Sequence, residues 1–240
     1  MTVDEIVDNL CARSIASGIG EGEWHVAGAG RLVAERALRA AIAAGDLLPG
    51  ARLVEADLVV MLGASRGNVR LAIDALAAEG LVERIPNRGA RVRVISAEEA
   101  VAITEARMAL EALIARKAAE RITGAQAELL RTSLATLRGA LAAGDLLKYS
   151  ALIQRLHEVV RDVAAQPVAG GLIDRLQAQL VRHQFQLSLR PGRPEVSLRE
   201  LTALVDAIVA RDPDRAEAAA VTHFRSVIAA LSEPTSGGPA

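Results

Sequence analysis

From Ser65 onward, apolar residues fall at Val69, Ala72, Ile73 and Leu76, the i, i+3, i+4, i+7 spacing that lines up one face of a helix. Ser65 is placed to cap that helix by accepting a backbone N–H from its first turn, and Gly80 marks its end. Two shorter patterns precede it. Ala34, Leu38, Ala41 and Ile42 predict a helix over 30–44 that stops at Gly45, and Leu58, Val59 and Leu62 predict another over 55–62 that stops at Gly63. Between them Leu47-Leu48-Pro49-Gly50 reads as a turn, since Pro fixes φ and Gly accepts positive φ. After Gly80 the pattern changes period. Residues 81–85 and 90–94 alternate around Pro86-Asn87-Arg88-Gly89, which predicts a β-hairpin. Upstream, residues 2–17 have weak helical periodicity (Val3, Ile6, Val7, Leu10), and the five glycines from Gly18 to Gly30 read as a loop.

Beyond Ser96 the pattern is helical throughout. Helices are expected near 97–121, 125–143, 146–164, 168–189, 198–210 and 214–231, with a disordered tail from Glu233. Capping boxes are expected at Ser96 with Glu99, Thr123 with Gln126, and Ser197 with Glu200. Ala-Ala-Gly-Asp-Leu-Leu occurs at 43–48 and again at 142–147, which reads as one helix-stop and helix-start solution used twice. The chain thus divides into an extension (1–27), a three-helix unit with a hairpin (28–95), a helical domain (96–232) and a tail (233–240). The fold class is mainly α: an N-terminal winged helix-turn-helix followed by an all-α bundle.

Composition narrows the functions. Hydrophobic residues make up 51% of the 240-residue chain and aromatics 2%, so a core of Ala, Leu, Val and Ile suits packed helices. No stretch approaches the roughly 18 uninterrupted apolar residues of a membrane span. Asp4, Glu5 and Asp8 replace the basic start of a secretory signal, and the lone Cys11 cannot close an intrachain disulfide. A reducing cytoplasm is the simplest compartment. The net charge of −1 averages unlike parts: residues 28–95 carry ten arginines, no lysine and seven acids. Arginine suits bidentate contact with phosphate and guanine.

A helix, a tight turn and a second helix that presents polar side chains from its first turns can address the DNA major groove. Arg66 and Arg70 lie four apart, on one face near the helix start. The landmarks run in order through Leu38-Arg39, Ile42, Gly45, Leu48-Pro49-Gly50, Leu53, Glu55, Leu58, Leu62-Gly63, Ser65-Arg66, Val69-Arg70, Ala72, Leu76, Glu79-Gly80-Leu81-Val82, Pro86, Arg88-Gly89 and Val92. This order resembles the DNA-binding domain of GntR-family bacterial transcription regulators. The resemblance implies that Arg66 and Arg70 touch bases or phosphates, and that Gly89 at the wing tip lies against the minor groove. Ser65, Asn68 and Arg88 complete the expected DNA-binding set, with Arg91 and Arg93 as further phosphate candidates. Two departures stand out. Gly67-Asn68 replaces the family's common Thr-Pro, and Leu71 replaces an acid. Gly67 would let backbone approach DNA, Asn68 could bond adenine, and the preferred operator would then differ from the family's usual one.

Arg107, Leu110-Glu111, Gly144-Asp145, Leu156-His157, Ser197, Glu200, Ala207-Ile208, Asp212 and His223 resemble the FCD-type ligand-binding domain of the GntR subfamily named after a fatty-acid regulator. Many members hold a divalent metal with one Asp and three His, and the metal helps bind a carboxylate. His157 and His223 match two of these ligands, while Ile153 and Leu201 replace the other two. His183 or Glu158 could fill in, although Glu158 points about 100° round the helix from His157. Two imidazoles alone make a weak site for Zn or Mn, so no metal or other cofactor is expected. Arg107, His157, His183, His223 or Arg182 would instead meet an anionic effector directly.

These readings predict a homodimeric, ligand-responsive transcription regulator, more often a repressor by resemblance. It would read a pseudo-palindromic double-stranded operator, respond to a carboxylate-type effector, and have no membrane partner. One alternative is an orphan DNA-binding regulator with a vestigial pocket, consistent with Ile153 and Leu201. A remote one is a helical enzyme using His157 and His223 as acid and base, against which stands the lack of a nucleophile motif or phosphate loop.

Overall fold

The computed structural model describes residues 27–233 except Gly45 and Asn87, and only the backbone at 27–29, 43–44, 181–182 and 185. The expectations for residues 1–26, for the Gly45 stop and for the tail from 234 lie outside the described residues, as does the Arg182 side chain. The first unit comprises α1 (Ala27–Ala44), β1 (Arg52–Leu53), α2 (Glu55–Leu62), α3 (Arg66–Ala78), β2 (Val82–Ile85) and β3 (Gly89–Val92). The second comprises α4 (Ala97–Arg121), α5 (Gly124–Ala142), α6 (Leu146–Ala164), α7 (Pro167–Ser188), α8 (Arg193–Val209) and α9 (Pro213–Ser232).

The α3 stripe behaves as its spacing predicts. Val69, Ala72, Ile73 and Leu76 are buried with Ala34, Leu38 and Ala41 of α1 and Leu58 of α2. Full burial of a side chain such as Leu76 contributes about 1.5–3 kcal/mol. Gly63 closes α2 in the left-handed region at φ 58°, a conformation that costs a β-carbon-bearing residue strain. The hairpin pairs Val82 with Val92 and Ile85 with Gly89. A strand absent from the sequence reading, β1, joins β3 through Arg52↔Arg91 and Leu53↔Ala90, giving the order β1-β3-β2. Its two residues are too short a run to show alternation.

In the second unit α9 lies along α4, and Ile114, Leu130, Leu137, Tyr149, Leu156, Ile173 and Leu201 are among the residues of one core. The Thr123–Gln126 capping box forms in both directions, at 3.3 and 3.0 Å. Ser96 also caps its helix, accepting from Glu99 N–H at 3.1 Å, but the Glu99 carboxylate turns to Arg93 instead of closing the box. The Ser197–Glu200 box does not form, because α8 starts at Arg193 and not near 198. Gly192, at φ 77°, caps it and Pro194 occupies its first turn, where the missing N–H costs nothing. Of the repeated hexapeptide, only the second copy starts a helix: Asp145 caps α6 by accepting from Lys148 N–H at 3.0 Å. The first leads into a turn closed by Ala51 N–H donating to Leu48 O.

Candidate nucleic-acid interface and effector cavity

The exposed face of α3 carries Arg66, Gly67, Arg70, Leu71 and Asp74. At its start Ser65 Oγ accepts the Asn68 N–H at 3.3 Å, so the hydroxyl fixes the helix end. Arg66 is exposed and makes no side-chain hydrogen bond or ion pair with the described residues. Arg70 is engaged: its Nε donates to both oxygens of Glu55 at 2.8 Å. The Asn68 amide lies against α1, where a β-carbon on Gly30 would come within 2.5 Å of its Nδ2. At the hairpin tip Arg88 and Gly89 are exposed, and Gly89 holds φ 87°. Arg91 pairs with Glu83 across the hairpin, and Arg84 pairs with Asp74 of α3. Arg93 turns away from the wing to Glu99 and Gln179.

The second site is a cavity of about 70 Å³ inside the helical domain. Arg107 of α4, His157 of α6, His183 of α7 and His223 of α9 all line it, with Tyr149, Gln154, Gln184 and Arg193. Arg107 is 2% exposed, and its Nη2 donates to Glu111 Oε1 at 2.9 Å and to Gln177 Oε1 at 3.3 Å. Its guanidinium sits over the Phe224 ring, and its buried Nε has no partner. Burial lowers the Arg107 pKa against the opposing pull of Glu111. Burial also drives His157 well below the ordinary imidazole range, helped by His223, Arg107 and Arg161. Its ring centroid is 5.7 Å from that of His223, and it makes no hydrogen bond to a described residue. His223 Nδ1 meets Glu200 Oε2 at 2.8 Å. Burial pushes the Glu200 carboxyl up, but bonds from His223 and Ser226 and the charges of His223 and Arg193 outweigh it, so its pKa falls.

Helix α7 touches both the cavity and the first unit. Leu180, His183, Gln184, Leu187 and Ser188 face the cavity. On the same helix Gln179 Nε2 donates to the carbonyl of Glu79, which caps the C-terminal end of α3, at 3.0 Å. Ala178 packs on the core of the first unit, and His183 Nε2 bonds the carbonyl of Ile95, in the link between units, at 2.9 Å.

Residues 31–92 match the gntR family of bacterial regulatory proteins, and residues 102–226 match the FCD domain. The chain is 30% identical over 192 residues to the HTH-type transcriptional repressor RspR of Escherichia coli K12, covering 80% of this chain and 84% of that protein. The chain belongs to the GntR family. It is 28% identical over 200 residues to a probable D-xylose utilization operon transcriptional repressor of Paenarthrobacter nicotinovorans, covering 82% of this chain and 86% of that one. The fold is that of E. coli McbR/YncC, with a TM-score of 0.72 at 22% identity, covering 84% of this chain and 96% of that one. A GntR regulator from Rhodococcus sp. RHA1 matches with a TM-score of 0.66 at 22% identity, covering 85% and 97%.

This GntR protein is accordingly a transcription regulator with an FCD domain, and not an enzyme. Its donor set does not fit the metal its resemblance implies. Ile153 and Leu201 offer no lone pair, and Glu200, beside His223, is already bonded to that ring and to Arg193. Among the described residues no three His, Cys, Asp or Glu side chains gather as a metal cluster. No helix among them is long and apolar enough to cross a membrane. Sequence reasoning missed Arg193, Gln154 and Gln184 as cavity residues. The dipeptide Arg193-Pro194 was the available signal, because Pro in a first turn marks a helix start upstream of Ser197.

Proposed function

We propose that this GntR protein is a homodimeric repressor that binds a pseudo-palindromic DNA operator and releases it when a small organic acid occupies the helical domain. Ser65, Arg66, Asn68, Arg70, Arg88 and Gly89 form the DNA-contacting set. Arg66, exposed and without a side-chain partner among the described residues, is the principal base reader, its fork matching O6 and N7 of guanine. Arg88 supplies phosphate contact at the wing. Two recognition helices about one DNA turn apart would read the two half-sites. The work takes place in the cytoplasm.

Arg107, His157, His183 and His223, joined by Arg193, hold the effector without a metal. The observation that carries the reading is α7, which lines the cavity with His183 and Gln184 while Gln179 holds the end of α3. A ligand that moves α7 changes the posture of α3, and it shifts the population only by its differential affinity for the two postures. Support for an acid comes from the buried, unpartnered Nε of Arg107, since leaving such a donor unpaired costs about 1–3 kcal/mol.

The test is selection of random duplexes by the full-length protein, followed by thermal-shift screening with hydroxy acids, dicarboxylates and pentoses. An enriched palindrome and a melting temperature raised by one acid class are expected. No enriched motif would refute DNA reading. A response to pentoses alone would replace the acid with a neutral sugar, and flat melting across the library would favour the orphan regulator.

A further inference from the structure

We propose that Leu71 reads a thymine methyl group in the operator and is a specificity determinant of this protein, an inference that rests on α3 entering the major groove. Leu71 is an apolar side chain 47% exposed on the face that also carries Arg66, Gly67 and Arg70. A single exposed leucine is ordinary on a protein surface. What distinguishes this one is the state of its neighbours. Gly67 lies one turn before it and leaves open space, with nothing within 4 Å of where a β-carbon would sit. The base edges can therefore approach this stretch of α3 closely enough to meet a side chain of leucine length.

The polar side chains nearby, Arg70 and Asn68 of the DNA-contacting set among them, are held in place by contacts within the protein. Arg70 Nε is held by both oxygens of Glu55, the Asn68 amide is packed against Gly30, and Asp74 pairs with Arg84. Arg66 and Leu71 are left as the side chains on this face with no tether to a described residue. One matches the acceptors of guanine and the other has no hydrogen-bonding atom. In the major groove the apolar feature a base pair offers is the C5-methyl of thymine. Burying that methyl against Leu71 removes apolar surface of both partners from water, and non-directional contact of this kind needs no further polar group.

The test uses the full chain and the duplex that selection returns, remade with deoxyuridine at each thymine in turn. Deoxyuridine lacks only the methyl, so hydrogen bonding and shape stay nearly constant. Fluorescence anisotropy is expected to show about a fourfold weaker Kd at one thymine of a half-site. The same substitution should be silent with the Leu71→Ser variant, which keeps the wild-type fold because the side chain is exposed. Equal affinity for every deoxyuridine duplex would overturn the proposal. So would a loss that persists undiminished in Leu71→Ser. Selection that enriches no duplex would instead refute the DNA-reading premise, a distinct failure that takes this proposal with it.

Discussion

Burial keeps the His157 imidazole neutral beside His223, Arg107 and Arg161, and that choice gives stability a pH dependence. The unfolded chain takes up a proton near pH 6.5 that the native imidazole refuses. More protons are then bound in the unfolded state, so stability falls as pH drops below about 6.5, by up to about 1.4 kcal/mol per unit. Glu200, whose folded pKa is also lowered, adds its loss only further down, in the carboxylate range. Thermal melts between pH 7.5 and 5 should therefore slope downward in the wild type and flatten in His157→Phe; equal slopes would contradict the neutral imidazole. The pair Arg107–Glu111, with side chains 3% and 4% exposed, makes a second prediction at this scale. Glu111→Ala strands a buried guanidinium and should cost about 3–5 kcal/mol, whereas replacing both partners by apolar residues should recover most of it. Calorimetric melts of the three proteins decide.

At the scale of elements, α7 is the part whose role the sequence conceals. Its apolar positions announce a helix, but nothing in them says that Gln179 will bond the Glu79 carbonyl or His183 the Ile95 carbonyl, since these partners lie far apart in the chain. The recognition helix was legible for the opposite reason: its stripe, its Ser65 cap and the Gly63 stop of α2 just before it are all local. The start of α8 was misread because Gly192-Arg193-Pro194 looks like loop, and because Ser197 with Glu200 mimics a cap. In the fold Ser197 is buried and Glu200 serves Arg193 and His223. Arg91 and Arg93 share a strand parity, yet only Arg93, beyond the end of β3, reaches Gln179. If α7 carries the coupling, Gln179→Ala, which removes the bond to the Glu79 carbonyl and lies outside the cavity lining, should leave operator affinity within about threefold of wild type and remove most of the effector response. Anisotropy titrations with and without the acid measure both. An undiminished response would send the coupling elsewhere, for instance through α4.

For the whole molecule, the proposed DNA affinity and effector response fall to two units joined by the short link around Ile95. The first unit supplies arginine and a wing; the second encloses the cavity and supplies α7 as the arm between them. Arg66→Ala should weaken operator binding by about 1–3 kcal/mol per half-site and relax selection at one base pair, while leaving acid binding untouched. Salt dependence should fall by about one ion when Arg88 is removed. Either variant behaving like wild type in anisotropy would contradict the assignment of that arginine. The central claim is that the two sites are thermodynamically linked, and calorimetric titration of the acid into the protein, alone and saturated with operator, tests it most directly. Linkage requires the operator to weaken acid binding by the same factor, about 5- to 150-fold, by which the acid weakens operator binding. Identical acid affinities with and without operator would contradict it.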